Sequence, residues 1–193
     1  MFKFNTKQLC AIAMLTAIAT VLNAFSIQTP LFSISFIYVT AFFTSVYMGP
    51  IAGFLVGVIA DLVGFVLAVL NGGGGFLPTL TLASGIMGVL PWVAFRLFNK
   101  LHWIIKIIIS FLLIFIVCTM GINTVTLHEV FAKSTTWGEY YLTRFVSQGP
   151  VLVLNCLLVC FTYKPLEKVF KKFGLYKEIK LKEKEIEEST DIV

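Results

Sequence analysis

Long apolar runs separated by short polar connections cover most of the chain. A helix that crosses a bilayer needs about 20 apolar residues. The pattern predicts transmembrane helices at Leu9–Ile27, Phe36–Met48, Ile51–Leu70, Leu77–Phe98, Trp103–Thr126 and Leu142–Tyr163. The second is short, and we expect it to start near Ser33, to tilt or to be buried against its neighbours, because irregular backbone cannot face lipid. The sequence therefore predicts an all-α integral membrane protein, a bundle of six transmembrane helices.

Basic residues fall on one side of this alternating arrangement. They are Lys3, Lys7, Arg96, Lys100, Lys106, Lys164, Lys168, Lys171 and Lys172. The connections on the other side hold Lys133, flanked by Glu129 and Glu139. Because Lys and Arg are enriched in cytoplasmic loops, both termini are predicted to be cytoplasmic. Residues 1–163 are predicted to form the six-helix membrane domain, and residues 164–193 a basic cytoplasmic C-terminal helix and tail.

Composition points to lipid as the main solvent. Hydrophobic residues make up 58% of the chain and charged residues 13%, whereas roughly a quarter of a soluble domain is charged. The net charge of +5 raises the alternative of nucleic-acid binding. However, the basic residues lie where anionic lipid headgroups are expected, so membrane lipids, and no nucleic acid, are the predicted partners.

The residues that catalysis or metal binding would need are not grouped in the sequence. The patterns HExxH, GxSxG and CxxC do not occur, and these spacings define the common zinc, serine-hydrolase and thiol sites. His102 and His128 fall at opposite membrane faces. We therefore predict neither an enzyme nor a metal or cofactor site.

One face of the sixth predicted helix carries polar side chains into the membrane. Arg144, Gln148 and Asn155 are separated by four and seven residues, which places all three on one helical face. An anionic substrate could pair with the guanidinium of Arg144. Snorkelling to the outer interface or pairing with Glu129 or Glu139 are the alternatives.

Further candidates lie near the outer ends of the predicted helices. Asn123 could read the donor and acceptor edge of a heterocycle, or could hydrogen-bond another helix. Several phenylalanines could stack on a flat ring, and they are Phe25, Phe32, Phe36 and Phe76. Gln28 opens the first outer connection.

Small residues predict two close helix contacts. Ala13 and Ala17 share a face of the first helix, where another subunit or another helix of the chain could approach. A stripe with a period of four residues begins the third helix and consists of Gly49, Gly53, Gly57 and Asp61. Another helix is expected to pack on this stripe, with the carboxylate either hydrogen-bonded across the contact or coupled to protons.

These motifs resemble those of a known family. The segment Tyr47-Met48-Gly49-Pro50-Ile51-Ala52-Gly53, with Gly57, Asp61 and Gly64, is similar to the second-to-third-helix signature of the substrate-binding (S) subunits of energy-coupling-factor (ECF) vitamin transporters. The Ala13/Ala17 pair resembles their first-helix alanine motif. The segment from Gly75 to Ser84, which includes Thr79, most resembles the folate-specific branch.

The resemblance implies a high-affinity S subunit in the bacterial cell membrane, which it crosses several times. Such a subunit captures folate outside and docks through Ala13 and Ala17 on a transmembrane coupling subunit. Two partner ATPase subunits use the ATP, so the chain itself needs no cofactor. For folate, Arg144 suits the glutamate carboxylates. Gln148, Asn123 or Asn155 suits the pterin edge, and the phenylalanines suit the faces of the ring.

The candidate substrate-binding residues are Gln28, Phe32, Phe76, Thr79, Asn123, Arg144, Gln148 and Asn155. Other vitamins stay open as ligands, namely riboflavin, pantothenate, and thiamine or its precursor. A structural or assembly role in the membrane is a further alternative.

Overall fold

Six helical segments make up most of the described chain. The computed structural model describes residues 6–24, 27–28, 33–34, 37–70, 76–133 and 135–174. The helices are α1 Thr6–Ala24, α2 Ile37–Met48, α3 Pro50–Leu70, α4 Pro78–Leu97, α5 Trp103–Phe131 and α6 Trp137–Lys172. Between α1 and α2, the two-residue strands β1 Ile27–Gln28 and β2 Ser33–Ile34 pair antiparallel. The predicted all-helical architecture is confirmed.

Helix lengths vary around the thickness of a bilayer. Among the described residues, helices α3 to α6 are long and apolar enough to cross a membrane, while α1 and α2 are shorter apolar helices. Helix α2 has 12 residues, which span about 18 Å of a hydrocarbon core about 30 Å thick. Ten of those 12 residues are buried. The neighbouring helices therefore cover it, which confirms one of the expected alternatives. A start near Ser33 is wrong, because Ser33 belongs to β2.

Helix α6 is longer than its apolar run. The run from Leu142 to Tyr163 predicts one membrane span, whereas the helix begins at Trp137 and continues through Pro165 to Lys172. Hydropathy detects the part of a helix that lies in hydrocarbon. The aromatic and lysine side chains at the two ends of the helix suit the membrane interface. Hydropathy therefore does not detect these ends, although the helix continues through them.

Helices α3 and α4 approach until almost no side chain separates them. A Cβ on Gly53 would collide with the carbonyl oxygen of Gly88, and a Cβ on Gly57 with that of Ser84. The close contact predicted from the glycine stripe is thus confirmed, and its partner is α4. Gly49, which joins α2 to α3, has a φ of +105°, a conformation that favours glycine.

The two ends of the bundle differ in their connections. We call the end that holds the turns α2–α3 and α4–α5, the start of α1 and the end of α6 the basic end. Its basic residues in the described chain are Lys7, Arg96, Lys100, Lys106, Lys164, Lys168, Lys171 and Lys172. The opposite end, which we call the loop end, holds the connections α1–α2, α3–α4 and α5–α6.

Aromatic rings fill the half of the bundle nearer the basic end. This aromatic core consists of Phe42, Phe43, Tyr47, Phe95, Trp103, Phe111, Tyr163 and Phe170. Tyr47 stacks on Phe170 with ring centroids 4.7 Å apart, and Trp103 stacks on Tyr163 at 5.3 Å. The core therefore joins α2 and α5 to the C-terminal part of α6.

Candidate ligand-binding site

A cavity of about 240 Å³ lies between α2, α3, α4, α5 and α6, in the half of the bundle nearer the loop end. Its walls consist of Ile37, Tyr38, Asp61, Leu80, Ala83, Ser84, Met87, Cys118, Thr119, Asn123, Leu127, Arg144 and Gln148. Three predicted site residues, Asn123, Arg144 and Gln148, therefore meet at one place. Charged groups of both signs also line the cavity.

Arg144 reaches the cavity from the early turns of α6. Its Nε atom is buried and has no hydrogen-bond partner within the described residues. Neither Glu129 nor Glu139 forms an ion pair with it there, because the ion pair found in the described chain joins Lys171 to Glu167 at the other end. A buried guanidinium nitrogen without a hydrogen-bond partner is costly. The arrangement favours anion binding over internal pairing.

Gln148 and Asn155 continue the same face of α6 towards the basic end. Gln148 lines the cavity, and Asn155 lies beyond it beside a second space of about 10 Å³, which holds about one water. The Nδ2 atom of Asn155 donates to the carbonyl oxygen of Val151 at 2.9 Å. Its Oδ1 atom has no partner among the described residues. The predicted polar face is real, but its deepest member lies outside the main cavity.

Asn123 reaches the cavity from a π-helical section of α5. This section covers Phe115–Asn123, and the Thr124 hydroxyl donates to the carbonyl oxygen of Thr119 at 2.7 Å. A π-helix bonds residue i to i+5, so side chains five apart share a face, and Cys118 and Asn123 both line the cavity. The sequence predicted an unbroken span here. The uniformly apolar run carries no signal for this change of helical register.

Asp61 forms the expected hydrogen bonds between α3 and α4. Its Oδ2 atom accepts from the Thr81 hydroxyl at 2.8 Å, and its Oδ1 atom accepts from the Ser84 hydroxyl at 3.1 Å. The predicted interhelical bonding is thus confirmed. Sequence reasoning missed that the carboxylate also lines the cavity, because its spacing identified only a packing face.

Tyr38 is another lining residue that the sequence did not single out. It sits in the first turn of α2 and lines both the main cavity and the smaller space beside Asn155. Among the described lining residues it provides the aromatic ring. No motif or spacing in the sequence marks Tyr38 as a lining residue.

The remaining predicted site residues lie elsewhere or outside the described part. Phe76 is 45% exposed, and its ring contacts that of Phe65 at 5.0 Å. Thr79 is exposed in the first turn of α4. Neither lines the cavity. The backbone of Gln28 belongs to β1, but its side chain lies outside the described residues, as does Phe32.

Ala13 and Ala17 lie on the outer face of α1. Both are exposed, whereas Ile12, Thr16 and Ala19 on the opposite face are buried. The pair therefore faces away from the described bundle. Packing against another of the described helices does not account for it.

Sequence comparison identifies the family. A family model described as "ECF transporter, substrate-specific component" matches residues 7–163. The chain belongs to this family. The resemblance expected from the motifs is confirmed, and S components serve as the substrate-specific part of a transporter and are not enzymes.

Two proteins similar to this S component are folate transporters. FolT of Leuconostoc mesenteroides subsp. mesenteroides is 24% identical over 138 residues, which cover 72% of each chain. FolT of Clostridium novyi (strain NT) is 22% identical over 144 residues, covering 75% of this chain and 80% of the relative.

Solved structures share the fold of this S component. A crystal structure of FolT bound with folic acid matches with a TM-score of 0.68 and 18% identity, covering 81% of this chain and 92% of the other. The S component of a bacterial ECF transporter matches with a TM-score of 0.58 and 21% identity, covering 86% and 98%. These likenesses place the described helices in the S-component fold.

Proposed function

We propose that this S component binds folate from outside the cell and delivers it to an ATP-driven importer. The observation that carries the proposal is the cavity, where Asn123, Arg144 and Gln148 meet and where buried polar atoms of the first two have no partner in the described chain. Two relatives are folate transporters, and we therefore choose folate as the ligand. Folate contains both the carboxylates and the polar heterocycle that such a set of groups can bind.

The cavity is smaller than folate as a whole requires. Its volume of about 240 Å³ lies below the roughly 300–1,000 Å³ that is usual for sites enclosing a drug-sized ligand. We therefore assign the pterin ring to the cavity, with Gln148 and Asn123 at its polar edge. The glutamate part extends towards the loop end, where the Arg144 guanidinium pairs with a carboxylate.

The orientation follows from charge. All six helices cross the bacterial cell membrane, with the basic end and both termini on the cytoplasmic side, in agreement with the enrichment of Lys and Arg in cytoplasmic loops. Residues 164–193 then supply a basic cytoplasmic end. The loop end faces outwards, so the cavity is approached from the side where the vitamin is present.

Assembly uses the exposed face of α1. Ala13 and Ala17 are both exposed on its outer side, and small residues allow another helix to approach closely in the membrane. We assign this face to the transmembrane coupling subunit. The ATP is hydrolysed by two partner ATPase subunits.

Calorimetric titration of folic acid into detergent-purified protein tests the proposal. We expect tight binding by the wild type and losses of at least about tenfold in Arg144→Ala and Gln148→Ala, because each variant removes a hydrogen-bonding group from the cavity. Arg96→Ala is the matched control, since Arg96 is exposed at the basic end. It should bind like the wild type.

Each contrary outcome has a definite meaning. If folic acid binds but neither cavity variant weakens it, the site lies elsewhere. If the wild type does not bind folic acid, the proposed ligand is wrong, and the same titration with riboflavin, pantothenate and thiamine identifies or rejects the other vitamins.

A further inference from the structure

Two groups of opposite charge line the cavity without pairing. Asp61 projects from α3 and Arg144 from α6, and no ion pair joins them in the described structure. At a rise of 1.5 Å per residue, Arg144 lies about 10 Å from the start of α6 and Asp61 about 14 Å from the end of α3. Along its own helix, Asp61 therefore lies further from the loop end than Arg144 does. Both charges line the cavity.

The carboxylate of Asp61 retains capacity for further hydrogen bonds. Each oxygen accepts one hydroxyl from α4, Oδ2 from Thr81 and Oδ1 from Ser84. A carboxylate has about four acceptor positions, so about two stay open. No cation pairs with Asp61 among the described residues. A carboxylate held by neutral donors on one side and bordering a cavity on the other suits a ligand with N–H donors.

We infer that Asp61 is a specificity residue, which binds the adjacent N–H donors of the pterin ring while Arg144 binds the carboxylate end of the ligand. The inference rests on the proposed function. It adds a contact with the ligand to Asp61, which so far has only a role in the packing of α3 against α4. The pyrimidine part of a pterin presents its ring N3–H and its 2-amino group side by side. Two parallel donors match the two oxygens of a carboxylate, a geometry that adds both strength and selectivity.

The same pair of charges rejects the other vitamins. The imide N–H of riboflavin stands between two carbonyl oxygens, which a carboxylate repels. Pantothenate offers an anion for Arg144 but no adjacent pair of ring donors for Asp61. Thiamine carries a permanent positive charge and no anion, so Arg144 disfavours it. Leaving a buried charge unpaired is an effective means of rejecting the wrong ligand.

A change in the ligand tests the role of Asp61 without relying on a variant. Calorimetry compares folic acid with 2-desamino folic acid, in which hydrogen replaces the 2-amino group. We expect the wild type to bind the desamino ligand about tenfold to hundredfold more weakly, because a hydrogen bond to a charged group is lost. Equal affinity for the two ligands overturns the inference.

The variant Asp61→Asn separates ligand contact from helix packing. A packing defect weakens both ligands alike, whereas loss of the contact removes the difference between them. We expect Asp61→Asn to bind the two ligands within about threefold of each other. Gly53→Ala, which disturbs the contact of α3 with α4 at a residue that does not line the cavity, should keep the wild-type ratio. A wild-type ratio in Asp61→Asn overturns the inference, and Asp61→Ser is measured in its place if that variant does not fold.

Failure here differs from failure of the proposed function. A wild type that binds folic acid and its desamino analogue equally well keeps the proposed function and loses the role of Asp61. A wild type that binds neither ligand overturns both.

Discussion

The half of the bundle nearer the basic end and the half nearer the loop end are packed in different ways. In the first, Phe42 is fully buried and contacts Phe43, Phe95 and Phe111 with centroid separations of 5.5 to 5.8 Å. In the second, five helices surround a cavity of about 240 Å³. Some buried polar atoms there have no hydrogen-bond partner among the described residues, and Arg144 Nε is one of them.

The half nearer the basic end therefore serves mainly the stability of the fold, and the half nearer the loop end serves ligand recognition. Close packing in the aromatic core stabilises the fold through dispersion and shape complementarity. Unpartnered polar groups around a cavity cost stability until a ligand supplies the missing bonds. The two halves should therefore respond differently to substitution.

The largest effect is expected from Phe42→Ala in the aromatic core. Truncating a buried phenylalanine costs about 3–5 kcal/mol, so the unfolding free energy in detergent should fall by about that amount. Folate affinity of the fraction that still folds should stay within about threefold, as measured by titration. Phe161→Ala, at a position that is 79% exposed, is the control and should change neither quantity.

The second-largest loss of stability is expected from Gly53→Ala. The added methyl group meets the backbone of Gly88, and overpacking of this kind costs about 1–3 kcal/mol. Gly149→Ala is the matched control on α6, where a Cβ meets nothing within 4 Å. It should gain up to about 1 kcal/mol from better helix propensity. Equal unfolding midpoints for the two variants would contradict the close contact of α3 and α4.

Asn123→Leu is expected to change the unfolding free energy less than the preceding variants do, and in the opposite direction. Removing a buried, unpartnered oxygen should leave the ligand-free unfolding free energy unchanged or raise it by about 1 kcal/mol. Folate affinity should fall at least about tenfold, since an amide is lost from the cavity wall. Asn99→Leu, in the exposed turn after α4, should not alter affinity. A marked loss of ligand-free stability in Asn123→Leu would show that the amide supports the fold.

The smallest effect on the isolated protein is expected from Ala13→Leu and Ala17→Leu. Both side chains are exposed on α1, so stability and folate affinity should match the wild type. Co-purification with the coupling and ATPase subunits should be lost, because larger side chains block close helix approach. Ala132→Leu, in the α5–α6 connection, is the control. Normal assembly of both α1 variants would move the docking face elsewhere.

Features that repeat along a single helix could be predicted from the sequence. The spacing of Arg144 and Gln148 placed them on one face, and the glycine period identified the α3 surface that α4 contacts. Both predictions need only the geometry of one helix. Hydropathy likewise located the helices, although it stopped short of the ends of α6, where polar side chains continue the helix.

Features that depend on which helices meet could not be predicted. Tyr38 and Asp61 lie far apart in sequence, and only the arrangement of α2 beside α3 brings both to the cavity. The π-helical section of α5 is a change of hydrogen-bond register within an apolar run, and such a run has no periodicity that could reveal it. The sequence therefore predicted which face of a helix carries the site residues, but not which other helices complete the cavity.

The most direct test of this separation measures unfolding midpoints of Phe42→Leu and Arg144→Met, each with and without saturating folate. A ligand at a hundred times its dissociation constant stabilises the folded state by about 2.7 kcal/mol. We predict that Phe42→Leu lowers both midpoints equally and keeps the full folate shift, whereas Arg144→Met keeps the ligand-free midpoint and loses the shift. If Arg144→Met lowers the ligand-free midpoint as much as Phe42→Leu does, and keeps the folate shift, the account is contradicted.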